Sequence, residues 1–306
     1  MRKNISNLSK KKTDLASTKS HGEGAGQFIS TKSVSWRYQF VQIEEQVTKN
    51  PPVLLIHGTG GTLETWNALV DEFTKRKKGK LLIFDLPGHG GSKCKESEGV
   101  STLSEIAREI SELLILLQIR EVDMAVGHSA GTAIAMEINL QKLIIVNKII
   151  GINPSLVPPP VHFNLALFPF FSPILTSKTA ISLITTAMQK TSLVDLLIDS
   201  TGSELSSKQK QSYKNIFKNE SHILGAIKFM ADTDLKSLLK KSKDISCPLT
   251  LIAGEKDKWV NIESLKKTLK EFLPKSYFIK LSGGHLLNET HPKAIAEIIF
   301  EHLRLK

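Results

Sequence analysis

Short apolar runs alternate with helical patterns through most of this 306-residue chain. Six of the runs are almost continuous in hydrophobic residues, as strands buried on both faces are. They lie at residues 53–56, 81–84, 124–126, 149–152, 249–252 and 277–279. Residues 34–43 alternate instead, which is typical of a half-exposed edge strand. Helical spacing of apolar residues follows at 63–75, 103–117, 130–140 and 292–303. The alternation predicts an α/β fold with a mostly parallel central sheet and helices on both faces.

One long segment interrupts this alternation. Residues 154–246 contain helical periodicity and proline-rich turns but no convincing strand. We interpret them as a helical cap inserted into a core formed by residues 34–153 and 247–306. Because ligands of open α/β sheets bind beyond the carboxyl ends of the strands, a cap at that edge would cover a site.

Charge and composition limit the partners of the chain. Of the net charge of +11, about five units come from residues 1–33, which are rich in lysine and poor in large apolar side chains. We expect a disordered basic tail there, suited at most to weak contact with an anionic surface. The other lysines are scattered without aromatic interleaving, which argues against nucleic-acid binding. No run is long enough for a membrane span, and no signal peptide is evident. The two cysteines match no metal or redox spacing, so we expect a cytoplasmic protein.

A candidate nucleophile lies at Ser129. Gly127-His-Ser129-Ala-Gly131 fits G-x-S-x-G, with an apolar run before it and a helical run after it. A serine on such a strand-to-helix turn adopts a strained backbone, and small residues two positions away let the strand and helix approach. The alternative is a serine that merely caps the helix.

The negative charge created by such a nucleophile needs hydrogen-bond donors. His57-Gly-Thr-Gly-Gly61 follows the run at 53–56, and its glycines allow the backbone to present N–H groups. We expect the amide of Thr59, or that of Gly60, to form an oxyanion hole with the amide of Ala130. A simple glycine turn is the alternative, and His57 is expected to brace the loop.

A base and an acid complete the set. His285, in Ser282-Gly-Gly-His285, follows the last strand and is the histidine best placed to act as base. Asp257 follows the strand at 249–252 and is the preferred acid, with Glu255 second. Asn153 ends the preceding strand, but an amide cannot stabilise an imidazolium. The chain order of serine, aspartate and histidine is that of the α/β hydrolases.

These motifs, together with Asp85-Leu-Pro-Gly-His-Gly-Gly-Ser92, resemble the α/β-hydrolase superfamily over everything from residue 34 onward. Within it, the chain is similar to the magnesium-chelatase accessory proteins of bacteriochlorophyll synthesis. That similarity rests on 57–61, the elbow with its helix at 127–135, Gly151-Ile-Asn153 and three cap segments, at 168–173, 200–203 and 222–230. The resemblance implies a role near magnesium insertion into protoporphyrin and magnesium-chelatase subunits as partners. It defines no hydrolytic substrate.

The substrate pocket is less defined by the sequence. Aromatic residues crowd a proline-bounded segment of the cap, which is either its own core or the lining of a cavity for an apolar substrate, such as a porphyrin. Candidate pocket residues are Gly60, His128, Phe168, Phe171 and Met230. No metal site and no phosphate-binding glycine loop are evident, so no cofactor is expected.

Three functions are compatible with these residues. The first is a serine hydrolase acting on an ester or related acyl bond in pigment synthesis. The second is a non-catalytic porphyrin-binding or chelatase-assisting protein that keeps the hydrolase frame. The third is a general esterase or a carbon–carbon bond hydrolase, since one fold supports many reactions.

Overall fold

A computed structural model describes residues 26–43, 50–95, 99–157 and 174–304. The described strands are β1 Gln27–Ser30, β2 Val34–Gln42, β3 Val53–Ile56, β4 Lys80–Phe84, β5 Lys93–Cys94, β6 Glu121–Val122, β7 Met124–His128, β8 Ile145–Val146, β9 Ile149–Ile152, β10 Leu249–Gly254 and β11 Tyr277–Leu281.

A short 3-10 helix, Leu63–Trp66, precedes the first α-helix, and another, Ser242–Asp244, precedes β10. The described α-helices are α1 Asn67–Lys75, α2 Leu103–Leu116, α3 Ala130–Gln141, α4 Lys178–Lys190, α5 Leu193–Asp199, α6 Ser207–Ile216, α7 Glu220–Asp232, α8 Leu235–Lys241, α9 Ile262–Phe272, α10 Leu287–Thr290 and α11 Pro292–Arg304.

The strands form a central sheet in the order β1-β2-β4-β3-β7-β9-β10-β11, with β5 paired to β2. From β4 to β11 all neighbours are parallel, whereas β2 runs antiparallel to β1, β4 and β5. The mostly parallel sheet predicted from the sequence is thus confirmed. β6 and β8 form a separate short parallel pair.

The two faces of the sheet explain why its central strands are apolar throughout. In β3, Leu54 and Ile56 pack into a core shared with α2 and α3, whereas Val53 and Leu55 pack into a second core against α1 and α11. All four side chains are at most 3% exposed. Alternate residues therefore serve opposite layers, and neither face tolerates a polar residue.

Helix ends follow local signals as well. Thr102 caps α2 and forms a reciprocal capping box with Glu105, which satisfies two backbone N–H groups at the start of the helix. The apolar stripe of α2 then packs against α3 and the first core.

The N-terminal boundary differs from the one expected. Residues 27–30, assigned from the sequence to the disordered tail, form β1, which pairs antiparallel with β2. A four-residue edge strand among polar residues gives little periodic signal, and its order comes from the β2 ladder. The rest of the tail, residues 1–25, lies outside the described residues.

The expected cap segment lies between β9 and β10. Its described part contains helices α4 to α8, with a hydrophobic core of its own that includes Ile181, Val194, Ile198 and Phe217. Residues 158–173 lie outside the described residues. Among the described helices, none is by itself long and apolar enough to cross a membrane; α4 and α5 meet that criterion only as a pair bent by 82°.

Candidate active site

Ser129 lies between β7 and α3, on the turn predicted from the sequence. Its φ of 53° and ψ of −120° place a non-glycine residue in a strained conformation. The turn exists because of its glycines: a Cβ on Gly127 would overlap the backbone of Gly131, and a Cβ on Gly131 would overlap the carbonyl oxygen of Ile56. Strand and helix therefore approach closely and hold the serine hydroxyl above the sheet edge.

Two hydrogen bonds join Ser129 to His285 and Asp257. The Nε2 atom of His285 lies 2.9 Å from Ser129 Oγ, and its Nδ1 atom lies 2.8 Å from Asp257 Oδ2. His285 is 1% exposed and Ser129 is 7% exposed. The structure thus brings His285 together with Asp257, 28 positions before it in the sequence, and with Ser129, 156 positions before it.

The carboxylate of Asp257 is held by four donors. Oδ1 accepts the backbone N–H groups of Trp259 and Val260 at 2.8 and 2.9 Å, and Oδ2 accepts the Asn153 side-chain amide at 2.6 Å as well as His285. Burial raises the pKa of Asp257, but attraction to His285 and these hydrogen bonds outweigh it and hold the pKa below its usual value. Because an ionised carboxylate only accepts hydrogen bonds, His285 Nδ1 is the donor to Asp257.

The position of the proton on His285 determines which atoms donate in the hydrogen bonds of Ser129. Because Nδ1 of His285 carries the proton, Nε2 accepts the Ser129 hydroxyl proton. The hydroxyl of Ser155 lies 2.7 Å from Ser129 Oγ and therefore acts as the donor to it. Ser155 thus restricts the rotation of the Ser129 side chain.

The loop after β3 lies beside this serine. Gly61 N–H donates to the Gly58 carbonyl at 3.0 Å, and a Cβ on Gly58 would lie 2.8 Å from the Cβ of Ser129. Thr59 lines the cavity over Ser129, and Ala130 begins α3, so its N–H has no partner within the helix. Within the described residues, neither of these two amides donates a hydrogen bond to another backbone group.

His57 braces this loop from below. Its Nε2 atom accepts the Leu86 N–H at 2.9 Å, so the Nδ1–H donates to the Gly58 carbonyl at 2.8 Å. His89 and His222 continue the row, with successive ring centroids 5.4 and 5.3 Å apart. Burial lowers the pKa of all three imidazoles to about 3, so each is a neutral packing group.

The other histidine beside the site is His128. It is buried, with a pKa lowered to about 3 mainly by burial, and it donates from Nε2 to the backbone carbonyl of His285 at 2.8 Å. This bond fixes the loop that carries His285. The indole of Trp259 also packs against the imidazole of His285, with ring centroids 5.1 Å apart.

A small cavity of about 50 Å³ lies over Ser129. Cap residues form its roof, and the glycine loop and the His285 loop form its walls. Its described lining is Gly58, Thr59, Gly60, Gly61, Thr65, His128, Ser129, Leu197, Ile198, Thr201, Tyr213, Phe217, Trp259, His285 and Leu286. The cap is tied to the site directly, because the His285 N–H donates to the Thr201 carbonyl at 3.0 Å.

The predicted pocket residues have mixed outcomes. Gly60 and His128 line the cavity, whereas Phe168 and Phe171 lie outside the described residues. Met230 was assigned wrongly: it is 37% exposed near the end of α7, where the buried face of the helix is formed by other residues. Helical spacing alone does not show which face of a cap helix meets the cavity.

The structure eliminates Glu255 as the alternative acid and adds contacts around the site that were not predicted from the sequence. Glu255 is at the surface, paired with Lys280 at 2.6 Å, and is not part of the site. Ser155 and Trp259 were missed because their roles depend on contacts through space. Asn153, which directly follows β9, was considered from the sequence only as an alternative to the acid, and its role as a donor to Asp257 was not predicted. Within the described residues, no group of three or more His, Cys, Asp or Glu side chains is arranged to hold a metal ion.

Comparison with known proteins identifies the class of this fold and site. The sequence profile of the Alpha/beta hydrolase family matches residues 53–298, and the chain belongs to that family. Among its relatives, the Magnesium-chelatase 30 kDa subunit of Rhodobacter capsulatus is 28% identical over 262 residues, covering 83% of this chain and 87% of that protein. The hydrolase YugF of Bacillus subtilis is 27% identical over 238 residues, covering 75% and 82%.

Solved structures agree on the fold. An alpha/beta hydrolase fold protein from Burkholderia ambifaria superposes with a TM-score of 0.69 at 16% identity, covering 90% of this chain and 100% of that one. A hydrolase from Pseudomonas aeruginosa superposes with a TM-score of 0.68 at 19% identity, covering 92% and 100%. At these identities the likeness concerns architecture and not substrate.

Proposed function

We propose that this protein is a serine hydrolase that cleaves an ester or related acyl bond. Ser129 is the nucleophile, His285 the general base and Asp257 the group that orients the imidazole. The amides of Thr59 and Ala130 form the oxyanion hole. What carries the proposal is the pair of hydrogen bonds from Ser129 Oγ through His285 to Asp257, at 2.9 and 2.8 Å, beneath a cavity.

The reaction proceeds in two halves. Ser129 Oγ attacks the acyl carbon while His285 Nε2 takes its proton, and the two amides stabilise the oxyanion. The tetrahedral intermediate collapses when the imidazolium gives its proton to the leaving oxygen, which leaves an acyl-enzyme. A water molecule, deprotonated by His285, then attacks the acyl carbon and restores Ser129.

Asp257 and Asn153 support the imidazolium that forms in both halves. The carboxylate stays ionised because its donors hold its pKa low, and it therefore stabilises the positive charge on His285 without taking the proton itself. Asn153 keeps Oδ2 directed at Nδ1 through its bond of 2.6 Å.

Hydrolysis of p-nitrophenyl acetate tests this proposal. We expect a burst of p-nitrophenol equal to the enzyme concentration, followed by a slower steady state as the acyl-enzyme is hydrolysed. Ser129→Ala should lower kcat/KM by at least about a thousandfold, and Asp257→Asn should lower it less. Ser104→Ala, which removes an exposed hydroxyl on α2, is the matched control and should behave as wild type. Equal hydrolysis by wild type and Ser129→Ala would contradict the proposal.

A second candidate is favoured by the likeness to the Magnesium-chelatase 30 kDa subunit, which extends over 83% of this chain and includes the cap. We infer from it a place at the magnesium-chelatase step of bacteriochlorophyll synthesis, with chelatase subunits as partners and a porphyrin as ligand. Pockets for large organic ligands measure about 300–1000 Å³, so a porphyrin requires the cap to move or binds elsewhere than in the 50 Å³ cavity.

Fluorescence separates the two candidates. The indole of Trp259 lies against His285, so a porphyrin that enters the site should quench its emission. The comparison uses protoporphyrin titrations of the Trp36→Phe, Trp66→Phe double variant, in which Trp259 is the remaining tryptophan. Binding that persists in Ser129→Ala, together with full support of chelation by that variant, would favour an accessory role over hydrolysis. Absence of quenching would argue against porphyrin binding at this site.

A further inference from the structure

A second cavity lies beside the one over Ser129. It measures about 290 Å³ and extends between the cap helix α6, the 3-10 helix at Leu63–Trp66 and the start of α1. Thr65 and Tyr213 line both cavities. These two residues therefore form the partition between an inner space of about 50 Å³ and an outer space nearly six times larger.

Tyr213 is held in the partition by the element that follows His285. Its hydroxyl donates to Glu289 Oε1 on α10 at 2.6 Å. Glu289 is 8% exposed, and among the described residues no cation forms an ion pair with it. Tyr213 is thus the side-chain partner that satisfies this buried carboxyl group.

The helix that carries Tyr213, α6, is held by contacts with both the cap and the core. α6 contains no fully buried residue, but Lys214 and Lys210 form ion pairs with Asp195 and Asp199 of α5 at 2.8 and 3.6 Å, and Tyr213 packs against the cap core. Other contacts join α6 to α10. One of them is a bond of 3.1 Å from the Gln209 side-chain amide to the backbone carbonyl of Glu289. Together with the Tyr213–Glu289 bond, it fixes the side of α6 that faces α10, whereas the contacts with α5 and the cap core hold the ring of Tyr213 in the partition.

We propose, on the basis of the hydrolase function above, that Tyr213 limits the acyl chain that the site accepts. One buried water needs about 10–15 Å³ of cavity, so the inner cavity of about 50 Å³ has room for roughly four groups of the size of a water molecule. This corresponds to an acyl group of acetyl to butyryl length. A longer chain must pass the partition to reach the outer cavity, and the ring of Tyr213 is the larger of its two side chains. The substrate class is therefore a short-chain acyl ester.

A series of p-nitrophenyl esters with acetyl, butyryl and octanoyl groups tests this assignment, because the leaving group is constant. For wild type, kcat/KM should fall at least tenfold from butyrate to octanoate. Tyr213→Ala joins the two cavities and should raise the octanoate-to-butyrate ratio at least tenfold. Tyr213→Phe keeps the ring and loses the bond to Glu289, so it is the matched control and should retain the wild-type ratio. Tyr213→Leu replaces the alanine variant if the latter does not fold.

Two failures are distinguishable. Ester hydrolysis that depends on Ser129 but shows the same chain-length ratio in wild type and Tyr213→Ala would overturn the role of Tyr213 and leave the hydrolase proposal standing. Absence of Ser129-dependent hydrolysis for every ester, in folded wild-type protein, would overturn the hydrolase proposal and with it this inference.

Discussion

Lowering the pH from 7.5 to 5.0 should destabilise this protein through four buried imidazoles. Burial lowers the pKa of His57, His89, His128 and His222 to about 3 in the folded chain, against about 6.5 in an unfolded one. A group with a depressed folded pKa contributes stability that is complete above the unfolded pKa and is lost as the pH falls toward the folded one. The window of loss is therefore pH 6.5 down to 3.

The magnitude follows from the same values. Between pH 7.5 and 5.0, each imidazole lowers the free energy of unfolding by about 2 kcal/mol, and the four together lower it by about 8 kcal/mol. Two buried carboxyl groups act in the opposite direction: burial raises the pKa of Asp85 to about 6 and that of Glu289 to about 7. Because both groups bind a proton more readily in the folded state, they raise the free energy of unfolding by roughly 4 kcal/mol between pH 7.5 and 5.0. The expected net loss is about 4 kcal/mol, a large share of the 5–15 kcal/mol typical of a folded domain.

Urea denaturation followed by circular dichroism at pH 7.5, 6.0 and 5.0 measures this loss. In His222→Gln, one titrating group is removed, so the decrease between pH 7.5 and 5.0 should be smaller by about 2 kcal/mol. Phe217→Leu is the matched control, because Phe217 packs against His222 with ring centroids 5.3 Å apart but does not titrate. Equal stability of wild type at pH 7.5 and 5.0 would show that the buried imidazoles do not control the pH dependence, as would the same pH dependence in wild type and His222→Gln.

Three substitutions test individual contacts of the site. Asn153→Ala removes a donor to Asp257 and should lower kcat for ester hydrolysis roughly tenfold, since a hydrogen bond to a charged group contributes about 1.5–3 kcal/mol; an unchanged kcat speaks against the orienting role. Ser155→Ala removes the donor to Ser129 Oγ and should lower kcat/KM by a factor of about 3–10, whereas an increase would show that this bond restrains the nucleophile unproductively. Gly131→Ala inserts a Cβ against backbone and should lower the free energy of unfolding by at least about 3 kcal/mol; a melting temperature within a few degrees of wild type would contradict the steric argument.

The sheet could be predicted from the sequence because burial on both faces requires apolar residues at consecutive positions. β3 and β9 match their predicted bounds, and β7 and β10 extend the predicted runs by two residues each. The 3-10 helix and α1 together match the single helix expected at 63–75. These elements are specified locally, by pattern and length.

Most of the elements that were missed depend on their tertiary context. β1 gains its order from pairing with β2, and β6 and β8 are two residues each, too short for any pattern. α9 does show apolar residues with helical spacing, among them Leu265 and Leu269, but they stand in a lysine-rich stretch whose periodicity was overlooked.

The residues of the candidate site also fall into a group that local sequence signals indicate and a group that depends on tertiary contacts. Ser129, His285 and Asp257 could be selected because each follows a predicted strand, and the carboxyl ends of parallel strands meet at one edge of the sheet. Ser155, Trp259 and the partition at Tyr213 could not, because each acts through a contact with a residue far away in the sequence. Which cap residues face the cavity is a property of the packing of the cap, and spacing along one helix does not determine it.

The central claim is that the Ser129 hydroxyl is a nucleophile activated by His285 and Asp257. Reaction with a fluorophosphonate, followed by intact mass measurement and peptide mapping, tests it most directly, because the reagent needs an activated serine and no knowledge of the substrate. We expect one phosphonyl group per chain, located on Ser129, absent from Ser129→Ala and His285→Ala, and formed more slowly in Asp257→Asn. A folded wild-type protein that remains unlabelled, or that is labelled at another residue, would contradict it.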